Sequence, residues 1–175
     1  MKNASVPSLR LLIERASSAL LTLPNDEVDG ALGAEAPSAQ TLVGELIDAA
    51  ATAQERLEWA WEHGSLALDA RSPAGADADD AWQGAYGEAD WAGLVTLWWM
   101  HATHLLRTLE RIPDDVRRRP HHPHGLHALA WRPVPEDEPA TLDDLVWDYG
   151  THARHHLAQL LPGLEDDVPS PHENR

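Results

Sequence analysis

The 175-residue sequence contains no cysteine. This absence excludes disulfide bonds, thiolate metal ligands and any catalytic step that uses a sulfur nucleophile of the protein itself. The side chains of a metal site must therefore come from histidine and carboxylate residues. Phenylalanine is also absent, whereas the sequence has 8 tryptophans and 2 tyrosines. Without phenylalanine, some of the tryptophans must fill the core.

Positive charge is scarce. Lys+Arg number 13 against 29 Asp+Glu, which gives a net charge of −16 at pH 7, and Lys2 is the only lysine. Nucleic-acid binding needs clustered cations that replace the counterions of the phosphates, so this balance argues against a nucleic-acid partner. It argues equally against binding to an anionic membrane surface.

Long apolar runs are missing as well. The N-terminal stretch Met1–Ala19 is interrupted by Arg10, Glu14 and Arg15, which breaks the apolar region of an export signal. No other run approaches the length of a membrane span. We therefore expect a cytoplasmic protein with no membrane partner.

The apolar residues that are present recur with helical periodicity. Ser38 and Thr141 are predicted N-caps, and Gly64 is a predicted C-terminal stop. The predicted helices are about Ser8–Leu21, Ser38–His63, Glu88–Arg111 and Thr141–Leu161, and the loops between them are Pro24–Pro37, Asp69–Gly84 and the irregular Asp114–Pro139. This pattern predicts an all-α four-helix bundle with long inter-helix loops over residues 1–163, followed by a disordered polar tail over 164–175.

Two of the 11 histidines share the apolar face of the last predicted helix. His152 and His156 are four residues apart and therefore stack one turn apart on that face, whereas His155 points away from it. This spacing suits two imidazole ligands of one metal ion. The alternative is a pair of buried histidines that form hydrogen bonds within the bundle.

A third ligand is expected on a facing helix. Glu45 lies at the edge of the apolar arc of the second helix, where a metal ion would compensate the cost of burying its charge. The alternative is a boundary carboxylate that pairs with Arg56 or another arginine. His101, on the flank of the third helix, is a reserve candidate for a ligand, a partner of a ligand or a proton carrier, and an ordinary boundary histidine is the favoured alternative. His104 is predicted to lie on the surface.

A further histidine cluster lies in the irregular segment before the last helix. It consists of His121, His122, His124 and His127. Pro120 and Pro123 make this segment extended, and the spacing does not suit tetrahedral coordination. We predict a loop here, from which one imidazole could line the mouth of the site.

Several segments, taken in order, resemble the DinB-like superfamily of metal-binding four-helix bundles. The segment YGTHARHHLAQ (149–159) resembles its last-helix signature, and LVGELID (42–48) resembles its second-helix motif. LERIPD (109–114) and PHHPHG (120–125) resemble its third helix and the loop that follows. The resemblance extends from about Leu9 to Leu161.

The resemblance implies three metal ligands, namely one histidine on the second helix and a His-x-x-x-His pair on the last. His152 and His156 match the pair, and Glu45 stands where the family has histidine. The implied cofactor is a divalent metal, Zn or Ni first and Fe or Mn as alternatives. The Glu45 substitution either keeps a metal site of changed preference or marks a degenerate one.

The superfamily includes low-molecular-weight-thiol S-transferases, so the resemblance implies a thiol cosubstrate and a small electrophilic substrate. A metal-dependent hydrolase is a second enzymatic prediction. A non-catalytic stress-response module for binding or oligomerisation, with a degenerate metal site, is the rival of another class. The resemblance also implies a homodimer.

Overall fold

The computed structural model describes residues 6–23, 37–68, 86, 89–132 and 134–164, and within them it contains helices and no β-strand. The helices are α1 (Val6–Leu21), α2 (Ala39–His63), α3 (Trp91–Arg111), α4 (Asp114–Arg117), α5 (Leu126–Leu129) and α6 (Leu142–Leu160). The four long helices form a bundle, as predicted. Among the described residues, no helix is both long enough and apolar enough to cross a membrane.

Local sequence signals fix the helix ends. The Ser38 side chain accepts the Thr41 backbone N–H, and Gly64 ends α2 in the left-handed conformation with φ 59°. Thr141 and Asp144 form a reciprocal capping box at the start of α6. Helix α3 begins at Trp91, later than the predicted Glu88, because the Asp90 side chain caps it by accepting the Gly93 N–H.

Contacts between the long helices define their directions. Arg10 pairs with Glu110, and the Trp91 indole N–H donates to the Leu20 carbonyl at 2.9 Å, so α1 and α3 are antiparallel. Gln54 donates to Thr108 at 2.8 Å, and Asp48 interacts electrostatically with His101. Because residue numbers rise together in these last two pairs, α2 and α3 are parallel.

Helix α2 also packs against α6, and Glu45 near its start meets His156 near the end of α6. These two helices are therefore antiparallel, and the bundle has an up-down-down-up order. Because α2 and α3 are consecutive and parallel, the chain must run back along the bundle from the end of α2 to the start of α3. The length to be covered is that of the 25-residue helix α2, about 37 Å. The long connection between α2 and α3 follows directly from this topology.

The core is mostly aliphatic and includes two aromatic side chains, Trp98 and Tyr149. Trp98 is fully buried, as predicted for a chain without phenylalanine. Tyr149 is also buried, and its hydroxyl and the Trp98 indole nitrogen have no regular hydrogen bond. Burial raises the pKa of the Tyr149 hydroxyl strongly, so this phenol stays neutral.

The segment between α3 and α6 is more ordered than predicted. It contains α4 and α5, and Arg117 of α4 is buried between Asp114 and Asp143 at 2.6 and 3.0 Å. Gly125 packs closely on the segment that follows α2, so that an added Cβ would lie 2.0 Å from the Leu68 carbonyl oxygen. The prediction of an irregular region was therefore wrong in part, since buried polar contacts hold it in place.

Some predicted boundaries lie outside the described residues. These are residues 24–36 of the predicted loop Pro24–Pro37, the whole acidic loop 69–84, and the predicted tail apart from Leu164. The division at residues 163 and 164 stays a prediction.

Candidate functional site

The site is built on the side of α6 that faces α2. His156 is buried in the same stripe as Tyr149 and Ala153, and His152 lies half-buried one turn before it. His155 is exposed, as its position on the helix predicts. The helical period of 3.6 residues therefore places His152 and His156 on the inner side of α6 and His155 on its outer side.

The three predicted ligands lie together. The Nε2 atoms of His152 and His156 are 2.7 Å apart. Oε2 of Glu45 lies 3.2 Å from the other nitrogen of His156, Nδ1. The contact with Glu45 is too poorly aligned for a regular hydrogen bond, and the buried Nδ1 forms no other. The carboxylate and the two imidazoles thus form a chain in which His156 stands in the middle.

The sequence of contacts from Glu45 to His156 to His152 bears on which nitrogen of each ring carries the proton. A neutral imidazole has one N–H and one lone pair. A carboxylate beside Nδ1 of His156 favours the N–H at that atom, which leaves the lone pair on Nε2. With that tautomer of His156, His152 would donate from its own Nε2 in the metal-free protein, and this proton would have to leave Nε2 for His152 to bind a metal ion through that atom. Glu45 therefore presents the His156 Nε2 lone pair toward the space between the histidines, which is the electronic form needed for metal binding.

Burial keeps both rings neutral. It lowers the pKa of His152 to about 4, with smaller contributions from the neighbouring His156 and His155. The pKa of His156 is lowered by burial and then by His155. Protons therefore do not compete for these nitrogens near pH 7.

The donor set fits a divalent metal ion in type. Two neutral imidazoles and a carboxylate are a common zinc set and also resemble the ligands of non-haem Fe(II). Two nitrogens on one tetrahedral zinc would stand about 3.3 Å apart, so the 2.7 Å pair must open slightly. Within the described ranges, no group of three or more His, Asp or Glu side chains is already arranged around one ion position.

His101, His104 and Arg56, the other residues singled out from these helices, have partners away from the histidine pair. His101 interacts with Asp48, which accepts a 2.9 Å hydrogen bond from the Tyr86 hydroxyl. His104 is exposed, as predicted, and lies 3.9 Å from Glu58. Arg56 donates to the Leu129 carbonyl at 3.2 Å and so holds the α5 segment.

The loop histidines have contacts within their own segment. His124 is buried, and its Nε2 lies 2.9 and 3.2 Å from two backbone carbonyls. His127 Nδ1 contacts the His124 carbonyl at 3.0 Å, and His121 forms an isolated bridge with Ala140. His122 is exposed. The contacts of His124 and His127 hold the segment together.

Trp131 is the site residue that the sequence reasoning missed. Its indole stacks on the His152 ring with 5.3 Å between the ring centroids and 10° between the planes. It follows α5 in an irregular segment, so no helical periodicity could assign its direction. A tryptophan among prolines and arginines, in a segment predicted to lie near the mouth, was the available signal.

The sequence matches no protein-family model and no curated protein. The structure is similar to that of YfiT from Bacillus subtilis, which is described as a probable metal-dependent hydrolase with an unusual four-helix bundle topology. The TM-score is 0.62 at 16% identity, over 93% of this chain and 84% of YfiT. The two proteins share a fold. The predicted four-helix bundle is thereby confirmed, and membership of the DinB-like superfamily stays a prediction.

Proposed function

We propose that this chain binds a divalent metal ion between His152 and His156 and hydrolyses a small substrate there. The observation that carries the proposal is the pair of facing Nε2 atoms 2.7 Å apart, with the Glu45 carboxylate on the far nitrogen of His156. The description of YfiT as a probable metal-dependent hydrolase supports hydrolysis as the reaction.

The residues would divide the work as follows. His152 and His156 would hold the ion through Nε2, and the negative charge of Glu45 beside Nδ1 of His156 would favour the proton of that ring at Nδ1. Glu45 is also the predicted third ligand, which requires its carboxylate to turn from Nδ1 toward the ion. Trp131 shields one face of the His152 ring from water. A bound Zn, Ni, Fe or Mn ion would supply Lewis acidity and lower the pKa of a bound water.

Metal content tests the first step. Protein purified without a histidine tag should contain about one equivalent of metal by elemental analysis, and the His152→Ala/His156→Ala double variant should lose it. His155→Ala is the matched control, because this exposed histidine lies on the same turn of α6 and should retain the metal. Metal-free protein that also binds none of Zn, Ni, Mn or Fe would refute the proposal.

Cobalt substitution tests the role of Glu45. As a ligand, Glu45 sets the visible d–d spectrum, so Glu45→Gln should change the band positions and weaken binding. As a partner of Nδ1 alone, it should leave the bands in place and weaken binding about 10- to 100-fold. Glu45→His would restore strong binding only if this position faces the ion.

Thiol transfer is the second candidate. The chain has no cysteine, so a sulfur nucleophile would have to come from a low-molecular-weight thiol. A metal ion favours the thiolate form of such a thiol. Conjugation of several thiols to a small electrophile, compared with hydrolysis of ester and amide substrates, separates the two reactions. Bound metal without either activity would favour the non-catalytic bundle, and size-exclusion chromatography would test the expected homodimer.

A further inference from the structure

Residues 129–132, at and just after the end of α5, are tied to α6 by a two-point contact, and we call them the strap. Asp148 of α6 accepts the N–H of Trp131 at 2.9 Å with one carboxylate oxygen and the N–H of Arg132 at 3.0 Å with the other. Hydrogen bonds to an ionised carboxylate are about twice as strong as those between neutral groups. One side chain therefore fixes two successive backbone groups of the strap.

Two arginines accompany this contact. Arg56 of α2 and Arg132 of the strap both interact electrostatically with Asp148, and Asp144 adds a second negative charge for Arg132. Arg56 also donates to the Leu129 carbonyl at 3.2 Å. The strap is therefore attached to α2 as well as to α6, and two cations compensate the charge of Asp148.

The strap places the Trp131 indole on the ring of His152. The two ring centroids are 5.3 Å apart, and the planes differ by 10°. Asp148 and His152 are four residues apart on α6, so their side chains lie one turn apart on the same side of that helix. The carboxylate that holds the backbone of Trp131 and the imidazole that its indole contacts therefore belong to one helix, which fixes their separation.

The ring of His152 needs such a contact to keep one orientation. Rotation of an imidazole about its Cβ–Cγ bond has broad minima, so packing decides where the nitrogens point. His156 has Glu45 beside its Nδ1, at 3.2 Å. His152 has the indole against its ring face, and in this orientation its Nε2 lies 2.7 Å from Nε2 of His156. A side chain that already has its binding orientation loses less conformational freedom when it binds a ligand.

We propose that Asp148 is a positioning residue for the predicted metal ligand His152. It acts through the strap, because its carboxylate holds the backbone of Trp131 and the indole of Trp131 holds the imidazole with Nε2 toward His156. The consequence for metal affinity rests on the proposed function, whereas the orientation of His152 in the metal-free protein does not.

NMR of the metal-free full chain, kept in EDTA, tests the orientation. The carbon-bound imidazole protons of His152, identified by their absence in His152→Gln, should show nuclear Overhauser contacts with the Trp131 indole and a displacement by its ring current. Asp148→Asn keeps the size of the side chain but has one acceptor oxygen for two N–H groups. We expect the contacts and the displacement to be lost in Asp148→Asn and in Trp131→Leu.

Zinc affinity, measured in competition with a chromogenic chelator, is the second readout. Asp148→Asn and Trp131→Leu should each weaken zinc binding by about 10- to 100-fold, the range expected for residues that orient a metal ligand. Trp131→Phe retains a flat ring and should lose less. If Asp148 acts through the indole, the Asp148→Asn/Trp131→Leu double variant should bind zinc no more weakly than Trp131→Leu alone. A merely structural role of Asp148 would move stability without this dependence on Trp131.

Trp59 provides a matched control. Its indole stacks on His63 with 4.4 Å between the centroids and 15° between the planes. Trp59 lies 14 residues after Glu45 on α2, or about 21 Å along that helix. Trp59→Leu should therefore displace the His63 resonances and leave both the His152 resonances and the zinc affinity unchanged.

Three results would overturn the proposal: unchanged His152 resonances in Asp148→Asn, zinc binding as tight in that variant as in the wild type, or losses that add in the double variant. Circular dichroism checks that every variant remains helical. Should Asp148→Asn misfold, Asp148→Glu, which displaces both acceptor oxygens by one methylene, replaces it with the same expectations. A wild type that binds no zinc refutes the metal site, and the resonances alone then support or overturn the orientation of His152 by Asp148.

Discussion

The depressed pKa of His152 predicts a loss of stability in mild acid. The ring is neutral in both the folded and unfolded chain above pH 6.5. As the pH falls below 6.5, the unfolded chain binds a proton at this ring, whereas the folded protein does not until about pH 4. The unfolded state is therefore favoured progressively between these two values.

The size of the effect follows from the shift. A change in the pKa of His152 from 6.5 to about 4 corresponds to about 3.4 kcal/mol in the free energy of unfolding once the pH is below both values. Water reaches part of the half-buried ring and screens its charge, so we expect about 1–2 kcal/mol at pH 4.5.

The assay compares metal-free wild type with His152→Gln, whose side chain does not titrate. Urea unfolding at pH 7 and pH 4.5 gives the free energy of unfolding of each protein. Carboxylates elsewhere titrate in both proteins, so the wild type should lose about 1–2 kcal/mol more than the variant. His104→Gln, which removes an exposed histidine on α3, should behave like the wild type.

An equal loss of stability in wild type and His152→Gln would refute the reasoning. It would mean that water solvates the His152 ring in the folded protein as well as in the unfolded chain. A larger loss in the variant would be inconsistent with any lowering of this pKa by burial.

Three further changes test the packing that surrounds the site by urea unfolding. Gly44→Ala should destabilise the bundle by about 1–3 kcal/mol, because its Cβ would lie 2.2 Å from the Tyr86 ring. Gly150→Ala meets only an ordinary 3.6 Å contact, and it should raise the free energy of unfolding by about 0.5–1 kcal/mol because alanine favours a helix over glycine. Thr141→Ala removes the capping box and should cost about 1 kcal/mol, with Thr96→Ala, at an exposed mid-helix threonine, as the smaller reference. Arg117→Met removes the buried partner of Asp143 and of the exposed Asp114, whereas Arg118 still pairs with both, so the change should cost about 1–2 kcal/mol at pH 7. The loss should be smaller at pH 4, where those carboxylates begin to protonate.

The ends of α2 and α6 and the class of the fold could be predicted from the sequence. A cap is a contact between residues three apart, so Ser38 and Thr141 carry the information for it locally. The same holds for His152, His155 and His156, since the period of one helix decides which two of the three rings turn inward.

Tertiary packing decided the features that join distant segments. The parallel arrangement of α2 and α3 depends on contacts such as Gln54–Thr108, 54 residues apart, which no local pattern encodes. The placement of Trp131 over His152 likewise depends on Asp148 accepting two backbone N–H groups from another segment.

The sequence by itself therefore determined the four long helices, the all-α class and the histidine pair, because each depends on spacing along a single helix. Only the tertiary structure brought Glu45 to Nδ1 of His156 rather than to the nitrogen that faces His152. Which atom of a ring a carboxylate meets depends on the packing of α2 against α6. The carboxylate beside Nδ1 favours the proton of His156 at that atom, and Nε2 would then be the nitrogen that can bind a metal ion.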